Sequence, residues 1–116
     1  MHYNPKRIII SRTDSIGDVV LTLPMAGVLK ENYPDCKIYF LARQYTHSVI
    51  KLSQYVDEII NYDDLLKLTL KKQVEFIKDI NADVILHVFP RRNIASLAFK
   101  ANIPITIGTT NRLYHW

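Results

Sequence analysis

A doubly wound, Rossmann-like parallel α/β sheet of about five strands is the fold this sequence predicts, on three observations. Short runs that are apolar at consecutive positions, beginning with Ile8-Ile9-Ile10, suit strands buried on both faces. Stretches with apolar residues at helical spacing lie between them. The alternation continues along a chain of 116 residues, 48% of them hydrophobic, with no repeat and no internal linker, so residues 1–116 read as one domain with a substantial core.

In chain order, Arg7 to Ser11 is the first strand. Ser15-Ile16-Gly17-Asp18 then places an acid three residues after a serine, a close relative of the capping box, and Val19, Val20, Leu23 and Val28 continue the helix as its apolar face. Asn32-Tyr-Pro-Asp35 breaks it, because the residue before a proline avoids helical geometry. Lys37 to Ala42 is rich in strand formers, and Thr46 to Leu52 reads as a short helix with Val49, Ile50 and Leu52 inward. Glu58 to Asn61 fits a short edge strand. From Leu65 to Ile80 the spacing of Leu65, Leu66, Leu70, Val74 and Ile77 predicts one amphipathic surface helix, its other face carrying Lys67, Lys71, Lys72, Glu75 and Lys78. Asp83 to Val88 is a buried strand, Phe89-Pro-Arg-Arg-Asn93 a loop, and Ile94 to Lys100 a helix packing Leu97, Ala98 and Phe99. Pro104 to Ile107, ending at Gly108, supplies the last strand; the remainder shows no period. Right-handed crossovers give the spatial order 3-2-1-4-5.

Composition excludes several classes. The longest mostly apolar run, Val19 to Leu29, is interrupted by Thr22, Pro24 and Gly27 and is too short for a bilayer span. The N-terminus does not read as a signal peptide, since its apolar segment is a strand running into charged residues, and a cytoplasmic protein is expected. Cys36 has no second cysteine to pair with, and His2, His47 and His115 lack metal-ligand spacing, so neither a metal nor a cofactor is implied. The tyrosines at 33, 39, 45, 55, 62 and 114 lack the basic interleaving of a nucleic-acid platform. The net charge of +4 is uneven: residues 1 to 83 carry 11 basic and 11 acidic side chains, whereas residues 84 to 116 carry Arg91, Arg92, Lys100 and Arg112 and no acid. Such asymmetry suits an anionic partner.

The first helix start is where a ligand is expected. It offers unpaired N–H groups and the positive end of the helix dipole at the carboxyl end of a central strand. Gly17 is its only glycine, and no Gly-Lys-Ser/Thr follows, so neither a dinucleotide fingerprint nor a phosphate-cradling loop is present. Gly17 lets a bulky ligand approach the backbone. Asp18 then has two readings, a carboxylate complementing the helix dipole or a base kept ionised by it; Asp14 reads better as a loop or cap residue.

The run Arg12-Thr-Asp-Ser-Ile-Gly-Asp-Val-Val-Leu-Thr-Leu-Pro24, followed by Leu29-Lys30 and Tyr33-Pro34, resembles the N-terminal signature of the lipopolysaccharide heptosyltransferase family, glycosyltransferase family 9. The resemblance covers essentially the whole chain. It implies the N-terminal, acceptor-binding half of a two-domain GT-B glycosyltransferase that moves heptose from ADP-heptose to the lipopolysaccharide inner core with inversion. It also implies Asp18 as general base, Ser15, Ile16 and Gly17 against the acceptor, and work at the cytoplasmic face of the inner membrane with peripheral contact to it. Family members are at least about twice as long and bind ADP-heptose in a C-terminal domain, absent here; alone, the chain is expected to be inactive.

The Phe89–Asn93 loop should open beside Ser15–Asp18, which makes Arg91 and Arg92 candidates for binding the acidic Kdo sugars or phosphates of the acceptor, guanidinium forks being suited to both. Arg12 and Arg43 are weaker candidates for the same rim, and Arg112 weaker again. His87 reads as a buried core histidine. Two alternatives stay open: a small flavodoxin- or receiver-like domain, kept alive by the pair Asp63-Asp64, and an interaction fragment that self-associates through an uncovered face.

Overall fold

The computed structural model describes residues 4–108, so the expectations for His2, Arg112, Tyr114 and His115 fall outside the described residues. Strands β1 (Arg7–Ser11), β2 (Lys37–Ala42), β3 (Glu58–Asn61), β4 (Val84–His87) and β5 (Ile105–Gly108) form one sheet in the order β3-β2-β1-β4-β5. Every pairing is parallel. The predicted order is the observed one, and β1 is central.

Helix α1 (Ile16–Asn32) follows β1, and α2 (His47–Ile50) follows a 3-10 turn at Gln44–Thr46. Helices α3 (Tyr62–Leu66) and α4 (Leu70–Ile80) separate β3 from β4, and α5 (Arg92–Lys100) leads to β5. Alternate side chains of β1 serve the two faces. Ile8 and Ile10 pack with Ile38, Phe40, Val19, Ala26 and Ile50 against α1 and α2. Ile9 packs with Leu41, Ile60, Leu65, Ile77, Ile85, Ile94 and Leu97 against the other three helices. This two-sided burial is what the consecutive isoleucines require.

Two aspartates pin the amino-terminal end of the sheet. The Asp83 carboxylate accepts the backbone N–H groups of Lys6 at 2.5 Å and Arg7 at 2.9 Å, fixing β4 against β1. Asp57 accepts Ile38 N–H at 2.7 Å and Lys30 Nζ at 2.8 Å, and Lys30 also donates to the Cys36 carbonyl at 2.7 Å. Burial pulls the Asp57 carboxyl upward, but Lys30 and the Ile38 N–H outweigh it and hold it below its ordinary value. A carboxylate depressed on folding stabilises above its unfolded pKa of ~4 and loses that contribution as pH falls through the folded value. Urea unfolding at pH 6 and pH 3 should therefore show Asp57→Asn costing about 1 kcal/mol at pH 6 and much less at pH 3.

Several packing expectations are corrected. The face of α1 against the sheet is Val19, Thr22 and Ala26, while Val20 and Val28 point outward. The helix is apolar on most sides, so counting apolar residues cannot set its phase; small side chains take the close contact. Leu52 is 84% exposed, because α2 ends at Ile50 and the chain turns away. The single helix expected over Leu65 to Ile80 is two helices: Thr69 caps the second, its Oγ1 accepting Lys72 N–H, and Leu66 and Leu70 face outward around the break. Helix α5 begins at Arg92 rather than Ile94, and Phe99 is 80% exposed, since Ile94, Leu97 and Ala98 already fill the inward face.

Candidate active site

The carboxyl end of β1 leads through Arg12, Thr13 and Asp14 to Ser15, the N-cap of α1. Arg12 is held by its own backbone, which donates to Leu41 O at 3.1 Å and so ties the loop to β2. Ser15 Oγ accepts Asp18 N–H at 3.4 Å and donates to Asp18 Oδ2 at 2.6 Å. Arg12 Nη2 lies 3.1 Å from Asp18 Oδ1 and 3.1 Å from Asp14 Oδ2. The Ser15 hydroxyl, with help from the Arg12 charge, holds the Asp18 carboxyl below its usual range. Burial does the opposite to Asp14, pushing it up despite Arg12. The Asp18 side chain is 45% exposed and the Asp14 side chain 16%. An ionised carboxylate accepts at about four lone-pair sites. Asp18 therefore keeps acceptor capacity toward solvent.

The segment after β4 lies against the same loop. Val88 N and Phe89 N donate to Ser11 O at 3.0 and 3.2 Å. Arg91 Nε donates to Thr13 Oγ1 at 2.5 Å and Nη2 to Thr13 O at 3.2 Å, and its guanidinium stacks 5.0 Å from the Phe89 ring and 5.5 Å from that of Tyr62. Tyr62, just past β3, accepts Asn93 Nδ2 on its hydroxyl at 2.7 Å. Arg43 lies 4.8 Å from the same ring. Its Nη1 is 2.8 Å from Asp63 Oδ1, while Gln44 N donates to Asp63 Oδ2 at 2.8 Å; the Gln44 N–H and then Arg43 hold Asp63 below its usual range.

The predicted residues thus gather at one end of the sheet, in unequal roles. Three of the four arginines are engaged: Arg12 with two carboxylates, Arg91 with Thr13 and two rings, Arg43 with Asp63 and Tyr62. Arg92, the first residue of α5, is exposed and has no ion pair among the described residues. Ile16 is exposed, and a Cβ at Gly17 would meet nothing within 4 Å. Sequence reasoning missed Thr13, Tyr62 and Asn93. Thr13 is an ordinary loop residue until Arg91 reaches it from across the chain, and Tyr62 looked like one more scattered aromatic. The pair Asp63-Asp64 follows β3, not β1, with Asp63 committed to Arg43 and Asp64 to Lys67. His87 is buried in β4, and that burial moves its imidazole below the usual histidine range; it borders a separate depression of about 520 Å³ with Phe99, Asn102 and Thr106. Among the described residues no cluster of three or more metal-ligating side chains occurs, and no helix is long and apolar enough to cross a membrane.

No protein-family model matches the sequence. A curated Haemophilus influenzae protein, "Putative glycosyltransferase", is 28% identical over 108 residues, which is 92% of this chain and 31% of its own length. The crystal structure of a glycosyl transferase family 9 protein from Veillonella parvula is 26% identical with a TM-score of 0.75, over 98% of this chain and 35% of that one. The E. coli ADP-heptose lipopolysaccharide heptosyltransferase II has a TM-score of 0.72 at 18% identity, over 95% of this chain and 32% of its own; at that identity the likeness is one of fold. This chain spans about a third of each. Across nearly its whole length, then, the chain resembles part of a glycosyltransferase family 9 protein and shares the fold of that family's heptosyltransferases.

Proposed function

We propose that residues 1–116 are a single, N-terminal, acceptor-binding domain of an inverting glycosyltransferase, with Asp18 as general base and ADP-heptose as the donor held by a C-terminal domain outside this sequence. The observation that carries the reading is a half-exposed Asp18 carboxylate at the α1 start, 3.1 Å from Arg12 Nη2, on a loop joined to the Arg91–Asn93 segment through the Arg91–Thr13 hydrogen bonds. The acceptor is the Kdo- and heptose-containing inner core of lipopolysaccharide, reached from the cytoplasmic face of the inner membrane.

The chemistry follows from those placements. An acceptor hydroxyl lies against Asp18, and its oxygen forms a bond to the anomeric carbon as the bond from that carbon to the ADP phosphate breaks. Asp18 receives the hydroxyl proton, and ADP departs with the electron pair. A carboxylate held this ionised is a weak base, so its proton transfer belongs late in the step, when the attacking oxygen is already acidic. Arg92 stands free at the first turn of α5, where helix dipole and guanidinium both favour an anion, and the acceptor's carboxylates and phosphates match it. Arg91, Arg43 and Arg12 shape this rim from the positions described above; Ser15, Ile16 and the open face of Gly17 border it. Without the donor domain the base has no activated sugar to serve, and the isolated chain is inactive.

Calorimetric binding of a phosphorylated, Kdo-containing core fragment to the chain tests the acceptor role. Arg92→Ala is expected to weaken binding roughly tenfold, the loss of one charge-assisted contact, and raising salt should weaken the wild type more than the variant. Equal affinity for the two proteins would remove Arg92 from the site; no binding by either would reject the acceptor role.

A further inference from the structure

We infer that Arg12 is the positioning residue of Asp18: one guanidinium nitrogen, 3.1 Å from Asp18 Oδ1 and 3.1 Å from Asp14 Oδ2, locks the base's carboxylate to the loop that leaves the central strand. This inference rests on the reading of Asp18 as the base. From sequence alone Arg12 was a candidate acceptor ligand, but its geometry gives it a different task.

Each end of the arrangement is anchored. The Arg12 side chain is only 15% exposed, and its backbone N–H is bonded to β2 through Leu41 O. Tyr45 Oη donates to the Asp14 carbonyl at 2.8 Å, bracing the loop from the other side. Asp18 is consequently held at both oxygens, Oδ2 by Ser15 and Oδ1 by Arg12, which fixes the direction of the lone pairs left for an acceptor hydroxyl. Asp14 has its own part. When Asp18 takes up a proton, Arg12 loses one anionic partner and would be stranded in a largely buried site. Asp14 still neutralises it. Charge on the base can therefore come and go without a buried cation being left alone. The two carboxyls are displaced in opposite directions, Asp14 upward by its burial and Asp18 downward by the Ser15 hydroxyl first and by Arg12 after it.

The test is a carbon-detected NMR pH titration of the aspartate carboxyls in the full chain, as wild type, Arg12→Gln and Arg12→Lys, with the backbone amide spectrum reporting the fold. In the wild type, Asp18 should titrate below and Asp14 above the ordinary aspartate midpoint, each curve showing the other's transition. In Arg12→Gln the Asp18 midpoint should rise, and Arg12→Lys should bring it part of the way back. An Asp18 midpoint unmoved in Arg12→Gln, with Asp14 alone shifting, would overturn the inference. Should Arg12→Gln not fold, the wild-type curves decide: independent titrations at ordinary midpoints overturn it equally. Failure of the base reading is separate. It would show as undiminished glycosyl transfer by Asp18→Asn, a result these titrations do not depend on.

Discussion

Under the proposed role of Asp18 as general base, glycosyl transfer by a protein containing this chain is expected to fall roughly 10²–10⁴-fold on Asp18→Asn, the range that loss of such a base commands. The substitution is close to isosteric, so the fold should survive: Ser15 still caps α1, and Arg12 still has Asp14. KM for the acceptor should change little, because in the proposed role Asp18 takes the proton released during the step and does not hold the acceptor's charge. Rate measurements with saturating donor separate these effects. Transfer at the wild-type rate would identify Asp18 as a helix-capping carboxylate and nothing more. The pH dependence provides a second handle. Since the Ser15 hydroxyl and Arg12 hold Asp18 below its usual range, wild-type activity should persist into mild acid before the base is protonated.

Phe40→Ala should cost ~3–5 kcal/mol of folding stability, as for other buried phenylalanines truncated to alanine. Phe40 is fully buried in β2, paired in register with Ile10 and Ile59, and belongs to the layer that seats α1. Small neighbours such as Ala26 and Ala42 offer little means of refilling the space. With total stabilities of about 5–15 kcal/mol typical for a domain, such a loss leaves a marginal protein. Urea unfolding should show the midpoint displaced by about 1 M or more with little change in slope. A loss under ~1 kcal/mol would mean that the α1 face repacks freely. The consequence reaches the site, because the same layer orients the helix whose first turn carries Asp18.

How much of this was legible in the sequence depends on how local each determinant is. The strands were readable because uninterrupted β-branched runs have few other uses, and the order of the sheet followed from crossover handedness. The Ser15 cap lay within four residues of sequence and was equally visible. Side-chain phase was harder. Val20, Leu52 and Phe99 are apolar yet face outward, and no local rule separates them from Val19, Ile50 and Leu97, which face the sheet. The break at Thr69 was hidden because a threonine within a helical spacing reads as an ordinary residue until its hydroxyl is seen capping Lys72 N–H. In the site, the direction of the arginines was legible but their division of labour was not. The Arg91–Thr13 pair joins positions 78 residues apart, and the sharing of Arg12 between Asp14 and Asp18 depends on a loop conformation set by Leu41 and Tyr45.

The most direct test of an acceptor-binding role is an amide chemical-shift titration of the isotopically labelled chain, run in parallel with a Kdo-containing phosphorylated core fragment and with ADP. The account predicts saturable shifts from the core fragment at Ser15–Asp18 and Arg91–Asn93, and none from ADP. Saturable ADP binding at the same loop, with no response to the core sugar, would contradict it.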